Sequence, residues 1–340
     1  MNFTELLRSS VNQNASDVHF SSGEPVRVRL NGQLTILEDK VWQSQDLAVL
    51  SQSLFSQEQQ RQLVEQKELD TIYHQAELGR FRVNAFYQQR GLSIVLRCIA
   101  DSIPKLCQLN APSAIAQMTR AQQGLILVTG PTGSGKSTTL AAMVDDINRT
   151  QQKHIITIED PIEFIHHSQQ SLISQRQLQR DTLGFTAALR AALREDPDVI
   201  LVGELRDKRS IQLALTAAET GHLVLATLHT RSACQAVTRI VDVFDQEEKS
   251  MIRVQLSESL KGVVAQRLLN STQQKRVACY EVLMATSAIR NLIREGKVNQ
   301  MYSMMQTGRE CGMQTLEQSV AQHIEQGILP PEALKALDCD

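Results

Sequence analysis

The sequence predicts an α/β fold in two parts. Three observations carry this reading. The first hundred residues contain two period-2 hairpin patterns, and short continuous apolar runs alternate with helical stretches from Gly124 onward. An irregular stretch with two prolines lies between these regions.

In the first part, Val26–Leu30 and Gln33–Leu37 each alternate apolar with polar residues, and Asn31-Gly32 separates them. That pair between alternating runs is a strong hairpin signal. Ser44 to Leu63 is polar, with Leu47, Leu50, Leu54 and Leu63 spaced for amphipathic helices. A second hairpin pairs Arg80–Gln88 with Gly91–Ile99 across Gln89-Arg90. Ala100–Ser113 holds Pro104 and Pro112 and reads as a connector. Beyond it, Leu125–Thr129, His154–Glu159, Val199–Val202 and Leu223–Leu228 read as strands buried on both faces. Lys136–Asn148, Thr186–Arg194 and Arg209–Glu219 read as the helices between them. After about residue 250 the expectation is mainly helix, broken at Gly296, Gly308, Gly312 and Gly327. The expected division is residues 1–100, a connector over 101–113, a core over 114–270 and a helical region over 271–340.

Composition narrows the class. With 340 residues, 42% hydrophobic and 21% charged, the chain can bury a sizeable core without disulfides or metals. A net charge of −2 and a pI near 6.5 argue against a nucleic-acid partner. No run reaches the roughly 18 apolar residues that a membrane span needs. The opening MNFTELLRSSVNQ lacks the charged start and apolar stretch of a signal peptide, so a cytoplasmic location is expected. The six cysteines (98, 107, 234, 279, 311 and 339) form no CxxC pair and read as inert.

The chemistry concentrates around Gly130-Pro131-Thr132-Gly133-Ser134-Gly135-Lys136-Ser137-Thr138. This stretch matches GxxxxGK[ST] and lies between an apolar strand and a helix. Its glycines let backbone N–H groups turn inward around phosphates, and the helix N-terminus adds positive potential. Lys136 is expected to reach the β- and γ-phosphates of ATP, and the Ser137 hydroxyl to bind Mg²⁺. Pro197-Asp198-Val-Ile-Leu-Val-Gly203-Glu204 has the Walker B pattern, with Gly203 where many NTPases place an Asp. Glu204 is therefore the expected base or water-orienting group. Glu159, Asp160 and Glu163 end another apolar strand. Glu163 is the foremost candidate among them, with Glu159 a further catalytic candidate and Asp160 the weakest. His222 and His229 bracket the last strand. His229 is expected beside Glu204 as a γ-phosphate sensor; His222 is assigned to the nucleotide from the opposite end or across an interface.

The second hairpin sets Arg82 opposite Arg97. Like charges side by side on a sheet destabilise it unless an anion sits there, so the pair reads either as a contact to the triphosphate or as a solvated basic face. Arg190 and Arg194, before Walker B, read equally well as ordinary helix charges.

These elements in this order resemble the GspE/PilB/PilT secretion ATPases. The matching motifs are GPTGSGKST, TIEDPIEF, REDPDVILVGELRD and TAAETGHLVLATLHT, with ASDVHF and GRFRVNAF towards the N-terminus. The absence of paired CxxC motifs and the segment AIRNLIRE (288–295) resemble the pilus-retraction branch. The resemblance implies a PAS-like N-terminal α+β domain, a RecA-like P-loop ATPase domain and a helical C-terminal region. It also implies a homohexamer peripheral to a bacterial inner membrane, driven by ATP and Mg²⁺, that acts on an inner-membrane pilus platform protein to power retraction and twitching motility. Arg82 and Arg97 fall where the family places arginine fingers. The alternatives are a type II secretion or pilus assembly ATPase, which usually carries CxxC pairs, and a non-hydrolysing regulatory subunit, against which Lys136, Ser137 and Glu204 together count. Two departures stand out: ASDVHF for the more usual ASDLHL, and Arg231 and Cys234 where smaller or more polar residues are usual.

Overall fold

Alternation in the first hundred residues folds into one antiparallel sheet with helices on a single face. The computed structural model describes residues 2–13, 15–30, 32–99, 102–273 and 276–337, apart from the side chain at 336. Asn31 of the first hairpin turn, Ala100 and Asp101 of the expected connector, and Cys339 lie outside the described residues. The chain divides into two units, Met1–Ser102 and Ile103–Asp340.

In the first unit, helix α1 (Phe3–Asn12) starts from a capping box in which Asn2 and Glu5 satisfy each other's backbone N–H groups. Strands β1 (Asp17–Ser21), β2 (Glu24–Leu30) and β3 (Gln33–Trp42) follow, then helices α2 (Ser44–Leu54) and α3 (Gln57–Gln66), and then β4 (Glu68–Gln75), β5 (Gly79–Gln88) and β6 (Gly91–Ile99). The strand order is β3-β2-β1-β6-β5-β4. Period-2 alternation sends Val18, Phe20, Val28, Phe81, Val83, Ile94 and Leu96 to one face, where Leu6, Leu7, Leu47 and Leu63 close the core. The opposite face carries Arg27, Arg29, Asp17, Arg97 and Arg82.

In the second unit, α4 (Ser113–Met118) precedes β7 (Gly124–Thr129), α5 (Lys136–Thr150), β8 (His154–Glu159) and β9 (Leu172–Gln177). Then come α6 (Phe185–Ala192), β10 (Val199–Val202), α7 (Lys208–Glu219), β11 (Leu223–Leu228), α8 (Ala233–Asp242) and α9 (Lys249–Ser259). The chain continues through β12 (Leu260–Asn270), β13 (Arg276–Met284), α10 (Ser287–Glu295), α11 (Val298–Thr307) and α12 (Leu316–Glu325). The sheet order is β13-β12-β7-β11-β10-β8-β9. Every neighbouring pair from β12 to β9 is parallel, and β13 alone runs antiparallel to its neighbour. All residues of β7, β10 and β11 are buried, with separate hydrophobic clusters covering the two faces of the sheet. The chain leaves β7, passes over two positions and returns as β8; β10 and β11 later fill the gap. The C-terminal ends of β7, β11, β10 and β8 thus lie side by side, the edge at which open α/β sheets bind ligands.

The region after residue 250 corrects the helical expectation. Leu260–Asn270 and Arg276–Met284 form a hairpin that extends the main sheet. Arg276–Met284 is largely apolar and Leu260–Asn270 has no clean period-2 alternation, so periodicity alone does not separate either from a buried helix. The connector also differs: from Ile103 on it belongs to the second unit, and Leu106 is buried in that unit's core. Gly262 permits β12 to pack closely. A Cβ there would lie 2.8 Å from the Leu283 carbonyl and would also strike the Met118 side chain. Gly262→Ala should therefore lower the stability of the second unit by about 1–3 kcal/mol, the usual cost of overpacking. Chemical denaturation of both proteins measures the difference, and an unchanged midpoint would contradict this packing.

Candidate active site

The P-loop bends where side chains would not fit. Gly130 has φ 148° and Gly135 has φ 88°, both in the region that favours glycine. The loop delivers Lys136 as the first residue of α5, with the Ser137 side chain exposed at the helix N-terminus. Pro131, Thr132 and Gly133 form the exposed rim and Thr138 follows in the helix. Within the loop, Ser134 Oγ is buried without a hydrogen-bond partner among the described residues.

Lys136 is 9% exposed. Its Nζ donates to the carbonyls of Gly130 (2.8 Å) and Pro131 (3.0 Å) and lies 3.5 Å from His229 Nδ1. Burial pulls its pKa below the ordinary lysine range, while the charges of Glu204 and Glu163 oppose the shift. Glu204 follows β10. Its Oε1 lies 3.3 Å from His229 Nε2, and its Oε2 accepts from Arg206 Nε at 2.7 Å. A ring whose Nδ1 faces an ammonium accepts there, so the tautomer that suits both neighbours carries its proton on Nε2, towards Glu204. His229 thus stands between Lys136 and Glu204 at the same strand edge.

Gly203, just before Glu204, packs closely against β8. A Cβ at 203 would lie 3.2 Å from the Ile158 carbonyl and 3.4 Å from Glu159 Cα. A side chain at 203 would be tight against the backbone of β8.

Strand-to-strand hydrogen bonds fix the edge. Thr227 Oγ1 donates to the Gly203 carbonyl, and Leu205 N–H donates to the Thr227 carbonyl (3.1 Å). Gly203 N–H donates to Ile158 (2.8 Å), and Thr230 N–H donates to Thr129 Oγ1 (2.9 Å). Sequence reasoning missed these threonines and Arg206. Their partners are distant in sequence or depend on strand register, and only Arg206 carried a signal, being two residues from Glu204.

Two candidate residues sit differently from their expected roles. Glu159 accepts from Thr157 Oγ1 (2.7 Å) and Gln175 Nε2 (3.0 Å), and burial raises its pKa in spite of those bonds. It braces the turn that carries Glu163, the carboxylate whose charge reaches Lys136. His222 precedes β11, at the strand end opposite His229, where its Nδ1 pairs with the Ala217 carbonyl (3.0 Å). Six strand residues at about 3.3 Å each separate the two histidines by roughly 20 Å, so His222 lies away from its own chain's P-loop. The opposite end of the strand is where the sequence reading sets it.

In the first unit, Arg82 and Arg97 are directly opposite in the β5–β6 register. The anion that their adjacency requires is supplied by carboxylates on the flanking strands. Arg82 forks Asp70 (Nη2 to Oδ2 2.6 Å), and Arg97 Nε donates to Asp17 Oδ1 at 2.8 Å. Asp17 is 6% exposed. Burial works to raise its pKa, but hydrogen bonds from Arg97 and Ser16, with the charges of Arg97 and His19, hold it below the usual range. Arg190 and Arg194 are exposed at and just beyond the end of α6.

A nucleotide-binding strand edge, a P-loop lysine and a catalytic-type glutamate define a P-loop ATPase. A profile of the type II/IV secretion system protein family matches residues 2–335, and the chain belongs to that family. It is 48% identical over 332 residues to the type IV pilus retraction ATPase PilT of Pseudomonas aeruginosa, covering 98% of this chain and 96% of that protein. A twitching motility protein of Neisseria gonorrhoeae is also 48% identical, over 97% of this chain and 88% of its own. The crystal structure of the pilus retraction motor PilT with bound ADP superposes with a TM-score of 0.91 at 42% identity, covering 100% of this chain and 98% of that one.

Two predictions follow from these contacts. Glu204→Gln should bind ADP within a few-fold of the parent yet hydrolyse ATP ~100-fold more slowly, the usual scale for a lost positioned catalytic group. Lys136→Ala should instead lose nucleotide affinity. Titration with a fluorescent ADP beside phosphate release separates the two, and normal hydrolysis by Glu204→Gln would refute the assignment. Arg97→Ala leaves Asp17 buried without its main partner and should lower stability at pH 7 by about 1–2 kcal/mol. A depressed carboxylate pKa stabilises the fold above the unfolded value, so this difference should vanish as pH falls below 3.8, through the folded pKa of Asp17. Melting curves of both proteins across pH test it; a gap that persists in acid would assign the loss to packing.

Proposed function

We propose that the chain is a homohexameric, Mg²⁺-dependent ATPase that powers type IV pilus retraction from the cytoplasmic face of the inner membrane, through an inner-membrane platform protein. The observation that carries this reading is the Lys136–His229–Glu204 edge in a chain similar over nearly its whole length to retraction ATPases. In this reading Glu204 orients the attacking water and takes up its proton, with Arg206 and His229 holding the carboxylate. Lys136 carries positive charge to the transferred phosphoryl group, and Arg82 and Arg97 are proposed to add charge from the first unit. Among the described residues no helix is long and apolar enough to cross a membrane.

The donor set suits Mg²⁺. The exposed Ser137 hydroxyl, with Glu204 and Glu163 at the same strand edge, offers hard oxygens. No group of three or more His, Cys, Asp or Glu among the described residues forms a metal cage of its own, as suits an ion shared with phosphates. When bound, the ion would neutralise charge on the phosphate oxygens.

Retraction needs a surface that transmits movement, and α10 offers one. Ile289 and Ile293 are buried and Leu292 packs against the same core. Arg294 is exposed, while Arg290 is only partly exposed. Lys297 lies beyond α10, which ends at Gly296 in a left-handed cap, and is exposed. Arg294 and Lys297 are therefore the charges to reverse. Arg294→Glu with Lys297→Glu should keep ATP turnover within ~2-fold, since exposed substitutions perturb folding little. Pilus retraction in cells carrying the variant should fail. Phosphate release in vitro and fibre shortening under the microscope test the pair. Normal retraction would exclude this docking surface, and a defect in pilus assembly or protein secretion instead would favour the alternative motor.

A further inference from the structure

Gln266 is a buried amide whose described neighbours include both ends of the P-loop. It lies on β12 and is 2% exposed. The parallel register pairs Ala265 with Thr129, the last residue of β7, which sets Gln266 beside Gly130, where the loop begins. Its backbone carbonyl fills the space that a side chain at Gly130 would need. Its own side chain runs under the loop. Oε1 accepts a hydrogen bond from Thr139 Oγ1 at 2.7 Å. This bond orients the amide, and the orientation turns Nε2 towards Gly135, 2.9 Å from where a Cβ on that residue would sit. The backbone carbonyl of Gln266 therefore abuts the glycine that opens the loop, while its side chain abuts the glycine that closes it and the first turn of α5.

Packing alone does not require an amide here. Val264 and Ala265, its neighbours on β12, are apolar and buried, and a methionine would fill a similar volume without desolvating polar atoms. What the amide adds is direction. It braces Gly135 from below, and through Thr139 it fixes the rotation of α5 about its axis. Those two quantities set where Lys136 and Ser137 point. Directly opposite on β13 stands Tyr280, fully buried, with its hydroxyl 3.4 Å from the Leu109 carbonyl just after the unit boundary. The strand that holds the amide is thus anchored on its far side.

We propose that Gln266 is a positioning residue for ATP hydrolysis, acting with Thr139 to hold the P-loop in the geometry that aims Lys136 and Ser137. Full-length Gln266→Met, Thr139→Val and Thr139→Ser test it, each measured for melting temperature, fluorescent-ADP affinity, and kcat and KM for ATP. Gln266→Met and Thr139→Val should each stay folded at the assay temperature and show roughly tenfold losses in kcat and ADP affinity, the scale of a misplaced catalytic group. Thr139→Ser, which keeps the donor, should restore near-parent values. The double variant Gln266→Met with Thr139→Val should be no worse than either single one by more than ~2-fold, as for two halves of one contact. Should Gln266→Met fail to fold, the Thr139 pair decides by the same criteria. Variants that melt earlier but keep parent kcat and ADP affinity while folded would overturn the proposal, as would a Thr139→Ser protein as impaired as Thr139→Val.

Discussion

The site depends on the hydrogen-bond register of four parallel strands. β7, β11, β10 and β8 align Thr129 with Leu228, Val202 with Ala226 and Val202 with Ile158. A slip of one residue in any pair would turn every side chain of that strand to the opposite face. Because β7, β10 and β11 are buried on both faces, such a slip has no solvent-facing alternative and the register is held by the whole core. The threonines at the strand ends extend the same constraint into the loops, where Thr227 and Thr129 tie the Walker B turn and the His229 loop to their neighbours.

Within that frame the site separates charges by burial. Lys136 is drawn down by desolvation and drawn back by Glu204 and Glu163. Glu159, more deeply placed and tied by Thr157 and Gln175, is pushed the other way. Carboxylates from one short turn thus acquire different characters: one braces, and the other contributes its charge to the lysine's surroundings. The first unit manages its charges by alternation. Arg29, Asp17 and Arg97 are successive cross-strand neighbours, so the buried aspartate lies between two guanidinium groups, while Arg82 answers to Asp70.

How much of this was legible in the sequence follows from the range of each interaction. β5 and β6 were readable to within a residue, because period-2 alternation and a two-residue turn are local. β7, β8, β10 and β11 were readable because continuous apolar runs between helical stretches have few other uses. β12 and β13 were not, since Leu260–Leu269 is as apolar as a buried helix and no turn residue of strong type separates the two runs. Lys136, Ser137 and Glu204 are fixed by motifs of a few residues and their neighbouring elements. The partners of Glu204 and Glu159 depend on strands paired across tens of residues, which spacing does not report. His222 and His229 were readable as lying at opposite edges, because one buried strand separates them.

Gly203 also bears on how such a site can change by descent. Placing an aspartate there in one mutational step would press its side chain against the Ile158 carbonyl and the Glu159 backbone. To accommodate it, β8 would have to move, and β8 is paired along its length with both β10 and β9. Even a methyl group at 203 would ask β8 to give by a few tenths of an ångström. The glycine therefore keeps β8 and β10 at their present spacing, and a larger residue at 203 would be felt first along the β8 edge.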